Sequence, residues 1–317
     1  MMICSKWFLF LFDCDCSCTA SLRLLFAEPP ASQATKARIV YITAIYGCYE
    51  KTLKIAMEQE QNRVLMDQHQ QSVRSDFIAF SNRHDMAPKG WIVDTEPYHV
   101  THRPTWDNGS LTNSLKKNSH TFYIAKFYKE YFHQIPRLQR YDIVVWMDST
   151  VKLKSAHVST YLFEHIQDST IVAWNFAWRR HLQMEVASSV SGPLAFKYTA
   201  RHWGGQDQPF QDVEAQYKTY LSEGYNPKCR RKLYSEDIPR FGGVWSTRFI
   251  AWDMTNPIVK EFLELWYWHN LKYTTQDQVS FPYVAHKFHL KPFTLSNCDL
   301  GGDCAHNEFY STKNHGT

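Results

Sequence analysis

The sequence lacks the features that mark nucleic-acid-binding and membrane-spanning proteins. Its 35 Lys and Arg are nearly balanced by 31 Asp and Glu, and no long basic run occurs, so a nucleic-acid partner is not indicated. No segment has the roughly 20 consecutive apolar residues that a membrane-spanning helix needs. The 8 cysteines do not follow the spacing of a zinc site. The apolar content of 44% and the charged content of 21% are typical of a globular protein.

The two ends of the chain differ in composition from the middle. The start, MMICSKWFLFLFDCDCSC, has one Lys before a short apolar run, which indicates a weak signal sequence, a signal anchor or a disordered start. A Pro-, Ala- and Ser-rich linker follows. We expect a leader or signal-anchor-like segment and linker over residues 1–36, one domain over 37–295 and a C-terminal tail over 296–317. Cys298 and Cys304 in that tail would form a disulfide if the protein is secreted.

Strand-like and helix-like patterns alternate along the domain. Runs rich in β-branched and aromatic residues predict strands at 38–46, 76–82, 90–94, 143–147, 169–176 and 242–253. Helices are predicted at 53–71, 121–135, 212–222, 258–271 and 276–288, with an otherwise irregular region over 177–235 and loop after 292. This alternation predicts an α/β domain with a mostly parallel sheet, in which ligands bind at the carboxyl ends of the strands.

The fourth predicted strand ends on an acid. In RYDIVVWMDSTVKLK, the apolar run that starts at Ile143 stops at Asp148. At the carboxyl edge of a sheet, this acid would bind a metal or a sugar hydroxyl, although Asp-Ser-Thr also suits a turn or a helix cap. Many nucleotide-sugar transferases have Asp-x-Asp here, whereas this chain has Thr150 in place of the second acid.

The helix that precedes this strand carries spaced basic residues. Lys126, Lys129 and His133 are at positions i, i+3 and i+7, which puts them on one face of the predicted helix. Spaced lysines usually form a solvated face. Beside an acid that holds a metal, they would instead suit a diphosphate.

A third group of polar residues opens and closes the last predicted helix. Asp277 and Gln278 stand at its start, where an acid is either favoured by the helix dipole or presented to a sugar. His286 and His289 stand near its end, and either could complete a metal site with Asp148.

Four motifs in order carry a resemblance to a known family. They are YITAIYG at 41–47, AKFYKEYFH at 125–133, YDIVVWMDST at 141–150 and QDQVSFPYVAHK at 276–287. The chain resembles a glycosyltransferase-like family, long catalogued as a domain of unknown function, whose plant members act in seed mucilage and turgor regulation. The family's central motif is matched only faintly by FAWRRHLQMEVA at 176–187, where Arg179 and Glu185 align.

The resemblance implies a GT-A-like fold and a role for each matched residue. It implies that the nucleoside faces the end of the first strand and the residue after the second, and that the diphosphate lies near the basic helix. Asp148 would contact the metal or the donor sugar, and Asp277 with Gln278 the transferred sugar or the acceptor. The residues implied to bind the nucleotide are Thr43, Tyr46, Gly47, Asn82, Lys126, Lys129, His133 and Arg179.

The implied activity is transfer of a hexosyl or uronosyl unit from a nucleotide sugar, such as a UDP-sugar, to a glycan acceptor. A divalent cation, Mn²⁺ or Mg²⁺, would assist through Asp148, His286 and His289. The compartment would be the secretory pathway, with the Golgi and a weak N-terminal membrane anchor, in a eukaryote, and the cytoplasm otherwise. Two alternatives are a ceramidase-like hydrolase of lipid amides, as described for a turgor-linked plant relative, and a sugar-binding module without catalysis.

Overall fold

A computed structural model describes the parts of the chain that form the sheet and its covering helices. The described residues are 37–46, 73–84, 90–98, 121–153, 158–175, 181–191, 202–203, 206–207, 212–225, 244–274, 276–295 and 310–312. All of them belong to one compact unit, Lys36–Thr317. The predicted leader and linker and the predicted helix over 53–71 lie outside the described residues.

Within the described part of the chain, seven strands form the central sheet. They are β1 Ala37–Ile45, β2 Val73–Ser81, β3 Ile92–Asp94, β4 Ile143–Met147, β6 Ile171–Asn175, β9 Trp245–Asp253 and β10 Phe293–Leu295. Their order across the sheet is β10-β6-β9-β4-β1-β2-β3. β9 runs antiparallel to its neighbours β4 and β6, and the other neighbouring pairs of this sheet are parallel. The predicted mostly parallel α/β sheet is therefore confirmed.

Short strands outside the sheet form two pairs. β5, Val151–Leu153, pairs antiparallel with β11, Tyr310–Thr312, which lies within the C-terminal tail. β7, His202–Trp203, pairs antiparallel with β8, Gln206–Asp207. The prediction that the chain after Pro292 is only loop was wrong, because β10 joins the edge of the central sheet and β11 pairs with β5.

The described residues also contain six α-helices. They are α1 Thr121–Glu130, α2 Val158–Ile166, α3 Leu182–Val190, α4 Val213–Ser222, α5 Ile258–Lys272 and α6 Asp277–Lys287. The sequence patterns predicted four of them and missed α2 and α3. Both missed helices are 9 residues long, a length at which the helical period repeats less than three times.

α1 is shorter than predicted. It ends at Glu130, and two 3₁₀ turns, Phe132–Gln134 and Pro136–Leu138, follow it. The backbone N–H of Ile135 bonds to the Phe132 carbonyl at 2.9 Å, which is the tighter i to i+3 pattern. Pro136, which directly follows the predicted helix, begins the second of these turns, and the α-helix ends earlier.

Alternate residues of β1 pack into two separate parts of the core. Val40 and Ile42 face the part that contains α1 and α5, whereas Ile39 and Tyr41 face the part that contains α2. This alternation is the period of two that a strand buried on both faces must have. Because β1, β2 and β4 are parallel, their carboxyl ends meet at one edge of the sheet. Among the described residues, no helix combines the length and the apolar character that a membrane crossing requires.

Candidate functional site

Asp148 lies at the carboxyl edge of the sheet, one residue past β4. Its backbone N–H donates to the Arg248 carbonyl at 2.8 Å, and its carbonyl accepts from the Val151 N–H at 2.8 Å. The first bond continues the pairing of β4 with β9, and the second closes a tight turn into β5. The side chain is 26% exposed, so it is accessible from outside the core. The sequence predicted Asp148 at the carboxyl end of a strand, and the structure places it there.

The two lysines of α1 converge on Asp277, the first residue of α6. The Lys126 ammonium lies 2.8 Å from Asp277 Oδ2, and the Lys129 ammonium forms an ion pair with the same oxygen. Lys129 Nζ is also 3.7 Å from Asp148 Oδ1. These four residues form a single charged cluster of two cations and two anions, in which Lys129 lies between the two carboxylates.

The electrostatics of the charged cluster favour its ionised form. Burial alone would raise the pKa of Asp277, but the two lysine ammonium groups outweigh it and lower that pKa. Burial alone would lower the pKa of Lys129, but Asp277 and Asp148 outweigh it and raise that pKa. Asp277 is therefore held as a carboxylate and Lys129 as an ammonium, and each stabilises the charge of the other.

Trp146, in β4, supports both Lys129 and Asp148. Its indole N–H donates to Asp148 Oδ1 at 2.7 Å, which fixes the direction of that carboxylate. The Lys129 ammonium lies 5.5 Å from the centroid of the Trp146 ring, within cation–π range. One aromatic side chain thus orients an anion and a cation of the charged cluster together.

A second set of buried polar residues lies directly behind Lys126 and Asp277. Glu130 of α1 accepts a hydrogen bond from Asn270 of α5 at 2.6 Å, and Asn270 also lies 3.2 Å from Ser280 of α6. The sequence patterns did not predict this set. The spacing of Lys126 and Glu130, which is i and i+4 on one helix, is the signal that would have found the first of its members.

The start of α6 is also bonded to α3. The buried Gln276 side chain donates to a carboxylate oxygen of Glu185 and lies 3.4 Å from the Gln278 side chain. Glu185 is the acid that aligned with the faint central motif of the resembling family. Its position next to the turn that leads to Asp277 shows that α3 takes part in holding that turn.

His133 does not join the two lysines as predicted. Because α1 ends before it, His133 lies in a 3₁₀ turn, where it is buried. Its Nε2 is 3.5 Å from Glu264 Oε1 of α5, and its ring lies against Tyr131. The spacing therefore predicted correctly that the two lysines share a face of α1, but His133 lies beyond the end of that helix.

The residues predicted to face a nucleoside differ in accessibility. Thr43 is buried inside β1, and Asn82 is exposed directly after β2. Tyr46 is buried, donates its hydroxyl hydrogen to the Tyr128 hydroxyl at 2.7 Å and stacks on the Tyr128 ring. Tyr46 therefore anchors β1 to α1. Gly47 and Arg179 lie outside the described residues.

The predicted metal ligands are not brought together. Asp148 and Asp277 lie in the charged cluster, whereas His286 lies in the last turn of α6, about 14 Å along its axis from Asp277, and His289 follows the end of that helix. Across the described residues, no group of three His, Cys, Asp or Glu side chains is arranged to hold a metal ion. The set of Asp148, His286 and His289 therefore does not fit a divalent cation.

Comparison with known proteins finds similar folds among glycosyltransferases. The apo structure of WbbM, a bifunctional glycosyltransferase, is 14% identical, with a TM-score of 0.39, over 85% of this chain and 40% of that chain. The mannosyltransferase Ktr4p from S. cerevisiae is 10% identical, with a TM-score of 0.37, over 81% of this chain and 67% of that chain. This chain thus spans less than half of the WbbM chain. No family model and no curated protein sequence matches it.

Proposed function

We propose that the chain is a glycosyltransferase that moves a hexosyl or uronosyl unit from a nucleotide sugar, such as a UDP-sugar, to a glycan acceptor. The observation that carries the proposal is the charged cluster at the carboxyl edge of a mostly parallel sheet, where such folds bind ligands. The cluster presents two ammonium groups for an anionic diphosphate and two carboxylates for sugar hydroxyls.

Asp277 has the character of a hydrogen-bond acceptor in this proposal. A carboxylate that two ammonium groups hold ionised is a weak proton acceptor at neutral pH, so Asp277 does not suit the role of general base. It suits the binding of a sugar hydroxyl, from which it would accept a hydrogen bond. Gln278, which follows it and is partly exposed, would bind the same sugar or the acceptor.

Lys126 is the cation best placed to meet the diphosphate. The two positive and two negative charges of the cluster balance, so a diphosphate has to take an ammonium group partly from Asp277. Lys126 is the more exposed of the two lysines, at 15% of its side chain against 5% for Lys129. The first-turn N–H groups of α6 would add to its attraction for the phosphate oxygens. The main catalytic effect would be electrostatic stabilisation of the departing diphosphate.

A thermal-shift and hydrolysis screen tests the proposal. The full chain is incubated with UDP-sugars, GDP-sugars and a ceramide, each with and without manganese. We expect one nucleotide sugar to stabilise the chain by about 2.7 kcal/mol at a hundred times its Kd, and to be hydrolysed slowly without acceptor. Hydrolysis of the ceramide alone would support the lipid amidase instead, and sugar binding without turnover would support the non-catalytic module. Metal dependence stays a prediction, which the manganese arm measures.

The two lysines are expected to act on the diphosphate and not on the nucleoside. In Lys126→Ala, we expect the Kd for UDP to rise about tenfold or more, because a hydrogen bond to a charged group is lost. The Kd for uridine should stay within about twofold, since uridine has no charge for the ammonium group to meet. Isothermal titration of UDP and of uridine into the wild type and into Lys126→Ala measures the two dissociation constants.

Lys218→Ala is the matched control for this prediction. Lys218 is a surface lysine on α4 that pairs with Glu214 at 2.9 Å. Its loss should leave both dissociation constants unchanged. Equal losses of UDP and uridine affinity in Lys126→Ala would show that the lysine maintains structure and does not bind phosphate.

A further inference from the structure

Glu130 is a fully buried acid next to the charged cluster. Its Oε1 lies 3.9 Å from the ammonium of Lys126, which stands one helical turn earlier on α1, and has no hydrogen-bond partner among the described residues. Its Oε2 accepts the 2.6 Å hydrogen bond from the Asn270 side chain. One carboxyl group thus contacts both a lysine of the cluster and a buried amide of α5.

Asn270 connects Glu130 to the first turn of α6 by two routes. Its Nδ2 lies 3.2 Å from Ser280 Oγ, and the Ser280 hydroxyl donates to the Asp277 carbonyl at 3.2 Å. The same Nδ2 donates to the Trp266 carbonyl at 3.2 Å, and the Trp266 indole N–H lies 3.3 Å from the Asp277 carbonyl. Both routes end on the backbone of the residue whose side chain pairs with the two lysines.

We propose that Glu130 is a positioning residue: it fixes Lys126 from one side and, through Asn270, fixes the first turn of α6 that carries Asp277. The inference rests on the function proposed above for the charged cluster. A buried hydrogen-bond network is stable when every polar group in it has a partner, because a buried polar group that loses its partner destabilises the fold. The cluster would then depend on a residue that is closed to solvent and touches no ligand.

Burial and the neighbouring lysines act on the Glu130 carboxyl in opposite directions. Burial raises the pKa of Glu130 well above its usual range, Lys126 and Lys129 oppose that change, and Asp277 adds to it. Among the described residues, Tyr267 of α5 also faces Glu130, and its pKa is raised by burial as well. The 3.9 Å contact with Lys126 therefore acts against the effect of burial on the pKa of Glu130, and the two side chains hold each other in place.

Chemical labelling tests the inference without any substrate. The full chain is acetylated with a trace of acetic anhydride, and mass spectrometry gives the rate at each lysine. We expect Glu130→Leu to raise the rate at Lys126 roughly fivefold or more, since the ammonium group loses its second acidic neighbour and the turn of α6 loosens. Glu130→Gln keeps the shape and an oxygen that accepts from Asn270, so it should restore the slow rate. Glu214→Leu is the control, because Glu214 and Lys218 form the same i, i+4 pair on the surface of α4.

Donor turnover supplies the second readout. We expect Glu130→Leu to lower kcat/KM for hydrolysis of the nucleotide sugar about tenfold or more, Glu130→Gln to recover most of it, and Glu214→Leu to leave it unchanged. A wild-type chain that binds no nucleotide would end the proposed function, whereas the labelling rates still decide the role of Glu130.

Two results would overturn the inference. One is a folded Glu130→Leu protein whose Lys126 is acetylated at the wild-type rate. The other is a Glu130→Gln protein that behaves like Glu130→Leu, since the carboxyl charge and not the bonded shape would then be needed. If Glu130→Leu gives no folded protein by circular dichroism, Glu130→Asp replaces it, because the shorter side chain withdraws the carboxyl group from both partners. The same increase at Lys126 is then expected, and its absence counts against the proposal.

Discussion

Asp277→Asn is expected to lower the free energy of unfolding by about 3–5 kcal/mol, the cost of removing one partner from a buried ion pair. The substitution nearly preserves the side-chain volume but leaves Lys126 and Lys129 without the carboxylate that both contact. The larger part of the cost would arise at Lys129, because its side chain is only 5% exposed and water does not replace the lost carboxylate. Urea unfolding of both proteins, followed by circular dichroism, measures the difference.

The pH dependence of that difference identifies its cause. The pKa of Asp277 is lower in the folded chain than in the unfolded chain. Its contribution to the free energy of unfolding is therefore fully present above its ordinary pKa of about 4. The contribution is lost as the pH falls from about 4 toward the folded pKa. The stability gap between wild type and Asp277→Asn should therefore be constant near neutral pH and narrow in acid.

Two variants complete the test of Asp277. Glu214→Gln removes an acid from the first turn of α4, where it pairs with a surface lysine, and should cost less than about 1 kcal/mol. Replacing three residues of the charged cluster together, by Lys126→Met, Lys129→Met and Asp277→Leu, should recover much of the stability that Asp277→Asn loses. A single Asp277→Asn that costs no more than Glu214→Gln would show that the lysines find other partners.

The sequence was enough to predict the main strands, because their ends carry polar residues. β4 was predicted with its observed bounds, since Asp142 and Asp148 enclose an unbroken run of five buried apolar residues. α2 and α3 were missed because short amphipathic segments have too few turns to establish a helical period. Asp148 was predicted at the carboxyl end of the sheet because it directly follows a predicted strand. Ligands bind at that end in open α/β sheets.

The partners within the site were not predictable from the sequence. The spacing of Lys126 and Lys129 showed that they share a face of α1, but not that Asp277, about 150 residues later, lies opposite that face. For the same reason the sequence indicated a basic face but not that carboxylates balance its charges, and the binding of a diphosphate there stays a prediction. His133 was placed on the same face because the helical period was extended past the residue where α1 ends. Long-range pairing depends on tertiary packing, which local periodicity does not contain.

Asp148→Asn is expected to reduce donor turnover by about 100-fold or more while the chain stays folded. The substitution nearly preserves volume, and the amide oxygen of the new side chain is still able to accept the Trp146 indole N–H. It removes the negative charge that lies 3.7 Å from the Lys129 ammonium and faces solvent at the mouth of the site. The loss of one preorganised electrostatic partner typically costs this much in kcat. Hydrolysis of the nucleotide sugar, measured at saturation and at low concentration, separates kcat from KM.

Asp142→Asn is the matched control for Asp148→Asn, because the two acids flank the same strand at opposite edges of the sheet. Asp142 precedes β4, where its carboxylate accepts the Arg38 backbone N–H at 2.8 Å. If Asp148 is only a turn residue, both Asn variants should turn over the donor at the wild-type rate, since Asn is as favourable as Asp in turns and caps. If Asp148 contacts the donor, only its own variant loses activity, and the two melting temperatures stay close to that of wild type. A folded Asp148→Asn protein with wild-type turnover and unchanged donor affinity would remove Asp148 from the site, and with it the reason to place a donor sugar at this edge of the sheet.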